Sequence, residues 1–269
     1  MSSMFAFVMF VFVILRVEAV RLPAGRITKL DRSKLDTSDD RNMYRDPNLV
    51  THVDDAFLDQ LTQLYREKLR PGATILDLCS SHVSHLPPDI ELARVDAHGL
   101  NAAELAANPA VQLTGGSTFV HDLNAEPALP FADTAAYDAV LCCVGVQVRS
   151  ASHSAQTDPF RPITTACCLS QYLQQPERVL AEVARVLRPD GLVTISFSNK
   201  FFFQKAITGW VERGMATRAR LVRDYLRAAG GYENIEVVGS GTGLFTQAMS
   251  LSGLGADPFC AVVATRDDS

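Results

Sequence analysis

ILDLCSSHVSHLP, residues 75–87, is the stretch on which the reading of this chain turns. Its first half is a short apolar run closed by Asp77, the form of a strand buried on both faces of a parallel sheet. Such a strand commonly opens into a glycine-rich turn, because only glycine lets the backbone pass close to a bulky ligand. Here the turn reads Cys79, Ser80, Ser81, His82.

Upstream, DDAFLDQLTQLYREKLRPG (54–72) predicts an amphipathic helix. Phe57, Leu58, Leu61, Leu64, Tyr65 and Leu69 recur at helical spacing, Asp54 and Asp55 suit its N-terminus, and Pro71-Gly72 ends it. Downstream, IELARVD (90–96), FVHDL (119–123), YDAVLCCVGV (137–146) and LVTISFS (192–198) read as further strands. LNAAELAAN (100–108) is a helix closed by Pro109. PERVLAEVARVLRPDG (176–191) is a helix with Pro176 in its first turn, and another runs over about 217–229. NIEVVGS (234–240) and PFCAVVATR (258–266) have no helix between them and read as an antiparallel pair. Alternating strands and helices imply an α/β, doubly wound, mostly parallel sheet, with ligands beyond the carboxyl ends of its strands.

On this reading Asp77 ends the first strand, Asp96 the second and Asp122 follows the third. A carboxylate after the second strand can accept both hydrogen bonds of a ribose, and Asp122 could accept from the amine of adenine. Each can equally cap the next helix. Three at successive strand ends favour a nucleoside site.

ILDLC, HDLNAEPALPFADTAAYDAVLCC and PERVLAEVARVLRPDGLVTISFSN together resemble the class I S-adenosylmethionine-dependent methyltransferases, in the branch of the UbiE-like and "type 11" enzymes. The likeness extends from about Thr51 to Arg266. SSHVSHLP, HGLNAAELAANP and SFSNKFFFQKAITGW resemble a subgroup with a serine-containing turn. The resemblance implies a Rossmann-like sheet of seven strands in the order 3-2-1-4-5-7-6, the last antiparallel. It implies S-adenosyl-L-methionine as cofactor. Asp77, Cys79, Ser80 and Ser81 would lie against its methionine part, and Asp96 would hold the ribose. Asp122 and Leu123 would meet the adenine, and Cys142 would line the methyl-transfer cavity. It implies a small-molecule acceptor and identifies no catalytic base.

Two departures from that pattern stand out. Cys79, Ser81 and Val83 fill the glycine positions, and Pro87-Pro88 leaves no room for a full crossover helix before the second strand. Residues 148–171 (VRSASHSAQTDPFRPITTACCLSQ) interrupt the passage from VGVQ to YLQQPER. They are consistent with a retained intron of 72 nucleotides or with a surface insertion beside the site. Histidines 52, 82, 85, 98 and 121 are candidate bases, His82 and His85 foremost, with structural roles the alternative.

The 269 residues allow one substantial core. A net charge of −5 without a long basic run argues against nucleic acid as partner. The six cysteines lack zinc-ligand spacing and read as reduced, buried thiols, so no metal is expected. FAFVMFVFVIL (5–15) reads as the core of a signal peptide or targeting leader, as an anchor able to associate with membrane, or as the product of a mis-assigned start. Residues 20–50 are polar and read as an irregular lead-in to a methyltransferase domain over 51–267. The expected activity is methyl transfer to a small molecule. A non-catalytic scaffold, a nicotinamide-dependent oxidoreductase and a nucleic-acid methyltransferase are the competing readings, and the oligomeric state stays open.

Overall fold

Strand β1 (Thr74–Leu78) turns Ile75 and Asp77 toward one face of a sheet and Leu76 and Leu78 toward the other. That two-residue alternation divides the core into two layers. In this computed structural model, residues 27–42, 44–47, 49, 51, 53–143, 169–239 and 256–268 are described. His52, Cys167, Cys168 and the apolar run at 5–15 lie outside them. Among the described residues no helix is long and apolar enough to cross a membrane.

The remaining strands are β2 (Arg94–Gly99), β3 (Thr118–Val120), β4 (Tyr137–Cys143), β5 (Leu187–Phe197), β6 (Tyr232–Val238) and β7 (Cys260–Arg266). They form one seven-stranded sheet in the order 3-2-1-4-5-7-6, parallel except for β7, as expected. Helix α1 (Asp55–Lys68) begins where the Asp54 side chain accepts from the Phe57 N–H. It buries Phe57, Leu61, Leu64 and Tyr65 against Ile75, Val95, Ala139 and Val263. On this same face lie α2 (Ala102–Ala106) and α3 (Pro109–Thr114), through Leu105 and Val111.

The opposite face is covered by α5 (Pro176–Val186) and α7 (Met215–Ala229), with α4 (Leu169–Tyr172) and α6 (Thr208–Val211) near the carboxyl ends of the strands. Val179, Leu180, Val183 and Val186 of α5 are fully buried. Each contributes about 1.5–3 kcal/mol of hydrophobic stabilisation.

Several boundaries differ from the sequence reading, each for a local reason. β2 begins at Arg94, not Ile90, and runs three residues past Asp96. Residues 79–93 contain no helix. Ile90 and Leu92 pack on the core as irregular chain, so their apolar character reports burial, not a strand. Pro109 does not close a helix but opens α3 at its first position, where its missing N–H costs nothing. α5 stops at Val186 because Leu187 turns extended to pair with Tyr137. Residues 148–171 reach into the described part at their end. Leu169–Gln171 belong to α4, and the buried Gln171 accepts from the Ile207 N–H through its carbonyl.

The described part of the lead-in carries short 3-10 turns at Leu30–Arg32 and Asp40–Asn42. It is anchored across the carboxyl ends of the strands. Arg32 makes a bidentate pair with Glu177 (2.6 and 3.0 Å), and Asn101 Nδ2 donates to the Tyr44 carbonyl at 2.7 Å. Buried Lys205 donates to the Ser38 carbonyl at 2.6 Å and sits 3.1 and 3.2 Å from Asp36 and Asp40.

Candidate functional site at the carboxyl ends of the strands

Sheet order reverses between β1 and β4, so the turn after β1 stands at the switch point where ligands of open α/β sheets bind. Cys79 takes a left-handed backbone conformation there, with φ 61°. This is the conformation glycine adopts freely, and a β-carbon in it costs about 1–2 kcal/mol. Two hydrogen bonds hold it. The Cys79 N–H donates to His98 Nδ1 at 3.2 Å, and the Ser80 N–H donates to the His98 carbonyl at 2.7 Å. Because Nδ1 accepts, Nε2 carries the ring proton and donates to the His121 carbonyl at 2.9 Å. Burial lowers the His98 pKa to about 4, in keeping with a neutral ring that ties the ends of β1, β2 and β3 together.

Beneath the turn lies a buried polar network. Ser80 Oγ donates to Asp77 Oδ2 at 2.5 Å, and Ser81 Oγ donates to Glu104 Oε2 at 2.7 Å. Asn108 Nδ2 reaches Ser84 Oγ at 2.9 Å, the Ser81 carbonyl at 3.2 Å and Ser80 Oγ at 3.3 Å. Its Oδ1 accepts from the Ala110 N–H and caps α3. No lysine or arginine among the described residues pairs with Asp77. Burial raises its pKa to about 7 against the opposing bonds from Ser80 and Ser84.

Asp77, Cys79, Ser80 and Ser81 are therefore brought together as one unit. Leu123 and Cys142 are buried in the same core layer as Cys79. Asp122 is half-buried and folds on itself, Oδ1 accepting from the Asn124 N–H at 2.9 Å.

Asp96 does not stand where the sequence placed it. It pairs with Leu76, one level below Asp77, with the chain continuing as strand to Gly99. Its Oδ1 accepts from Arg94 Nε at 2.8 Å and the Ser117 N–H at 2.6 Å, and its Oδ2 accepts from the Tyr137 hydroxyl at 2.8 Å. Both oxygens accept from the β2–β3 and β4 neighbours, a structural role that accounts for the buried carboxylate without a ligand. The position just past β2 belongs to Asn101, whose Oδ1 caps α2 through the Ala103 and Glu104 N–H groups.

Sequence reasoning missed Asn101, Glu104, Asn108 and Tyr44. The first three carried a signal: Asn-x-x-Glu before a helix is a capping pattern, and Asn108-Pro109 is a helix start. Tyr44 carried none, since its burial depends on where the lead-in docks.

Of the histidines, His82 Nδ1 lies 3.2 Å from Ser81 Oγ and His85 has φ 51°. Burial lowers both rings' pKa values, that of His85 to about 4. Cys79, Cys142 and Cys260 are buried, Cys143 is half-buried, and none of the four is in a disulfide. Among the described residues no group of three or more His, Cys, Asp or Glu is arranged to hold a metal ion.

No protein-family model and no curated relative matches this sequence. Solved structures do. A chain of the Haloferax volcanii complex between the Trm112 methyltransferase activator and a candidate methyltransferase superposes with TM-score 0.51 at 15% identity. The match covers 79% of this chain and 91% of that one. The [4+2]-cyclase SpnF gives 0.49 at 15% identity over 85% and 92%. An S-adenosylmethionine-dependent methyltransferase from Aquifex aeolicus gives 0.48 at 14% identity over 85% and 98%. The sheet is that of the Rossmann-like class I methyltransferases. At such identities the likeness shows the fold alone.

Proposed function

We propose that this protein transfers a methyl group from S-adenosyl-L-methionine to a small-molecule acceptor. The observation that carries the reading is the turn 79–82. It keeps a left-handed residue at the switch point without glycine, and a buried set of polar side chains fixes its shape. The set includes a buried carboxyl, Asp77, whose burial raises its pKa to about 7, a perturbation of the kind that clusters at functional sites.

The residues fit the donor in part. The turn from Cys79 to His82 would receive its methionine end, and Asp122 with Leu123 would lie toward the adenine. Asn101, in place of Asp96, would be the nearest polar side chain to the ribose. When bound, the donor supplies a methyl group on a positively charged sulfur. The chain's own part is to position that group in line with the acceptor and to exclude water, which requires no base. Cys142, at the end of β4, borders the acceptor side.

One observation favours a second reading, a non-catalytic scaffold. The hydroxyls of Ser80 and Ser81 are already spent on Asp77 and Glu104, and the Asn101 amide is spent on Tyr44. Thermal melts decide between them. S-adenosylhomocysteine should raise the melting temperature of the wild-type chain, NADH should not, and Ser81→Leu should abolish the shift. No shift at millimolar S-adenosylhomocysteine sinks the donor reading and leaves the scaffold.

A further inference from the structure

The segment from Lys200 to Arg218, which follows β5, carries four cations. Three have an aspartate. Lys200 pairs with Asp257 at 2.7 Å, Lys205 with Asp36 and Asp40 at 3.1 and 3.2 Å, and Arg213 with Asp31 at 2.9 Å. The fourth, Arg218, is only 5% exposed, and among the described residues no carboxylate pairs with it. Removing a guanidinium from water without a counter-charge is unfavourable, and the usual solution is an ion pair.

What surrounds Arg218 compensates it in part. Its Cζ lies 4.6 Å from the centre of the Phe201 ring and 5.0 Å from that of Trp210, so aromatic faces hold the charge. Nε donates to the Trp210 carbonyl at 3.1 Å and Nη1 to the Asn199 carbonyl at 3.3 Å. Nη2 donates to nothing among the described residues. It is not sealed either, unlike Arg223 Nε and Trp210 Nε1, which are enclosed without partners. Burial lowers the guanidinium pKa to about 10, which leaves it charged at neutral pH. Asn199, whose carbonyl Nη1 reaches, stands two residues past the end of β5, so the guanidinium lies near the carboxyl ends of the strands. β5 neighbours β4, whose end borders the acceptor side.

We infer that Arg218 binds an anionic oxygen-bearing group, a carboxylate or a phosphate, on the methyl acceptor. This deepens the methyltransferase reading and rests on it, since it names the acceptor's chemical class. The flanking Phe201 and Trp210 rings hold the guanidinium plane, so Nη2 is pre-aimed and loses little freedom on binding. An anion there completes the pairing that the described residues leave out. Loss of a hydrogen bond to a charged group weakens binding roughly ten- to a hundredfold.

The test uses the full chain and three small probes of one shape: benzoate, phenyl phosphate and the neutral benzamide, at matched ionic strength. Wild-type protein saturated with S-adenosylhomocysteine should be stabilised by one of the anions and not by benzamide. The anion that shifts the melt further identifies which oxyanion fits. Arg218→Met should erase the preference while keeping the shift from S-adenosylhomocysteine, and Arg218→Lys should retain part of it. Equal response to all three probes in wild type, or an anion preference unchanged in Arg218→Met, overturns the assignment. If the Met variant does not fold, the wild-type comparison and the Lys variant still decide. A shift by S-adenosylhomocysteine with no anion preference sinks this inference alone. An anion preference with no such shift sinks the donor reading alone.

Discussion

Ser80 Oγ stands 2.5 Å from Asp77 Oδ2, both residues buried and, among the described residues, neither paired with a cation. The short bond holds the proton-bearing hydroxyl against a carboxyl that burial has moved to a pKa of about 7. Most of the behaviour expected of the turn follows from this pair.

Asp77 should make stability fall as pH rises. Its folded pKa lies above its ordinary value of 3.8, so between about pH 4 and 7 the folded chain binds more protons than the unfolded one. The contribution is fully present below pH 4 and is lost as pH climbs through 7, on the order of 3–4 kcal/mol in all. Asp77→Asn removes the titration and keeps an acceptor for Ser80. Its melting temperature relative to wild type should rise from pH 5 to about pH 7 and level off above it, and a pH-independent difference would refute the assignment.

His98 should act in the opposite direction. Its folded pKa of about 4 lies below 6.5, so its stability contribution is present above pH 6.5 and is lost as pH falls toward 4. His98→Gln keeps an acceptor and a donor without the titration. Denaturant midpoints measured between pH 4 and 6.5 should show a shallower acid loss in this variant than in wild type.

Asp96 should prove structural. Asp96→Ala strands Arg94, the Ser117 N–H and the Tyr137 hydroxyl, and should cost about 2–3 kcal/mol in urea denaturation. Affinity for S-adenosylhomocysteine in the folded variant should stay within about threefold of wild type, a difference under ~0.7 kcal/mol. A tenfold loss of affinity without loss of stability would return Asp96 to the ribose.

Lys205 should hold the lead-in down. Lys205→Met leaves Asp36 and Asp40 without their shared cation and breaks the bonds to Ser38, at about 2–3 kcal/mol. Limited trypsin digestion should then cut at Arg41 or Arg45 well before the body of the domain. Unchanged protection would mean that other anchors, Arg32–Glu177 among them, suffice.

The 148–171 segment divides at α4. Deleting 148–168 should leave the melting temperature within a few degrees of wild type. Deleting through Gln171 should lower it further, because buried Gln171 holds the Ile207 N–H. Equal melts for the two deletions would show that α4 contributes nothing.

What the sequence alone determined here is whatever repeats along the chain. Alternating apolar residues, helical stripes and Pro or Gly stops are local, and they sufficed for the alternation of strands and helices, the antiparallel final pair and the helices α1, α5 and α7, whereas the sheet order was implied only by the resemblance. Register is not local. Ile90–Val95 reads as strand on apolarity, yet pairing with β1 and β3 fixes β2 from Arg94 to Gly99, and that shift moves Asp96 off the strand end. Which hydroxyl, carboxylate or amide faces a ligand is equally a matter of partners far away in sequence. Asn108 reaches Ser84, Asn101 reaches Tyr44, and Arg218 finds two carbonyls and two rings but, among the described residues, no carboxylate. Only the tertiary structure decides such matters, because a buried polar group is satisfied by whatever the fold brings within about 3 Å of it, not by its neighbours in the chain.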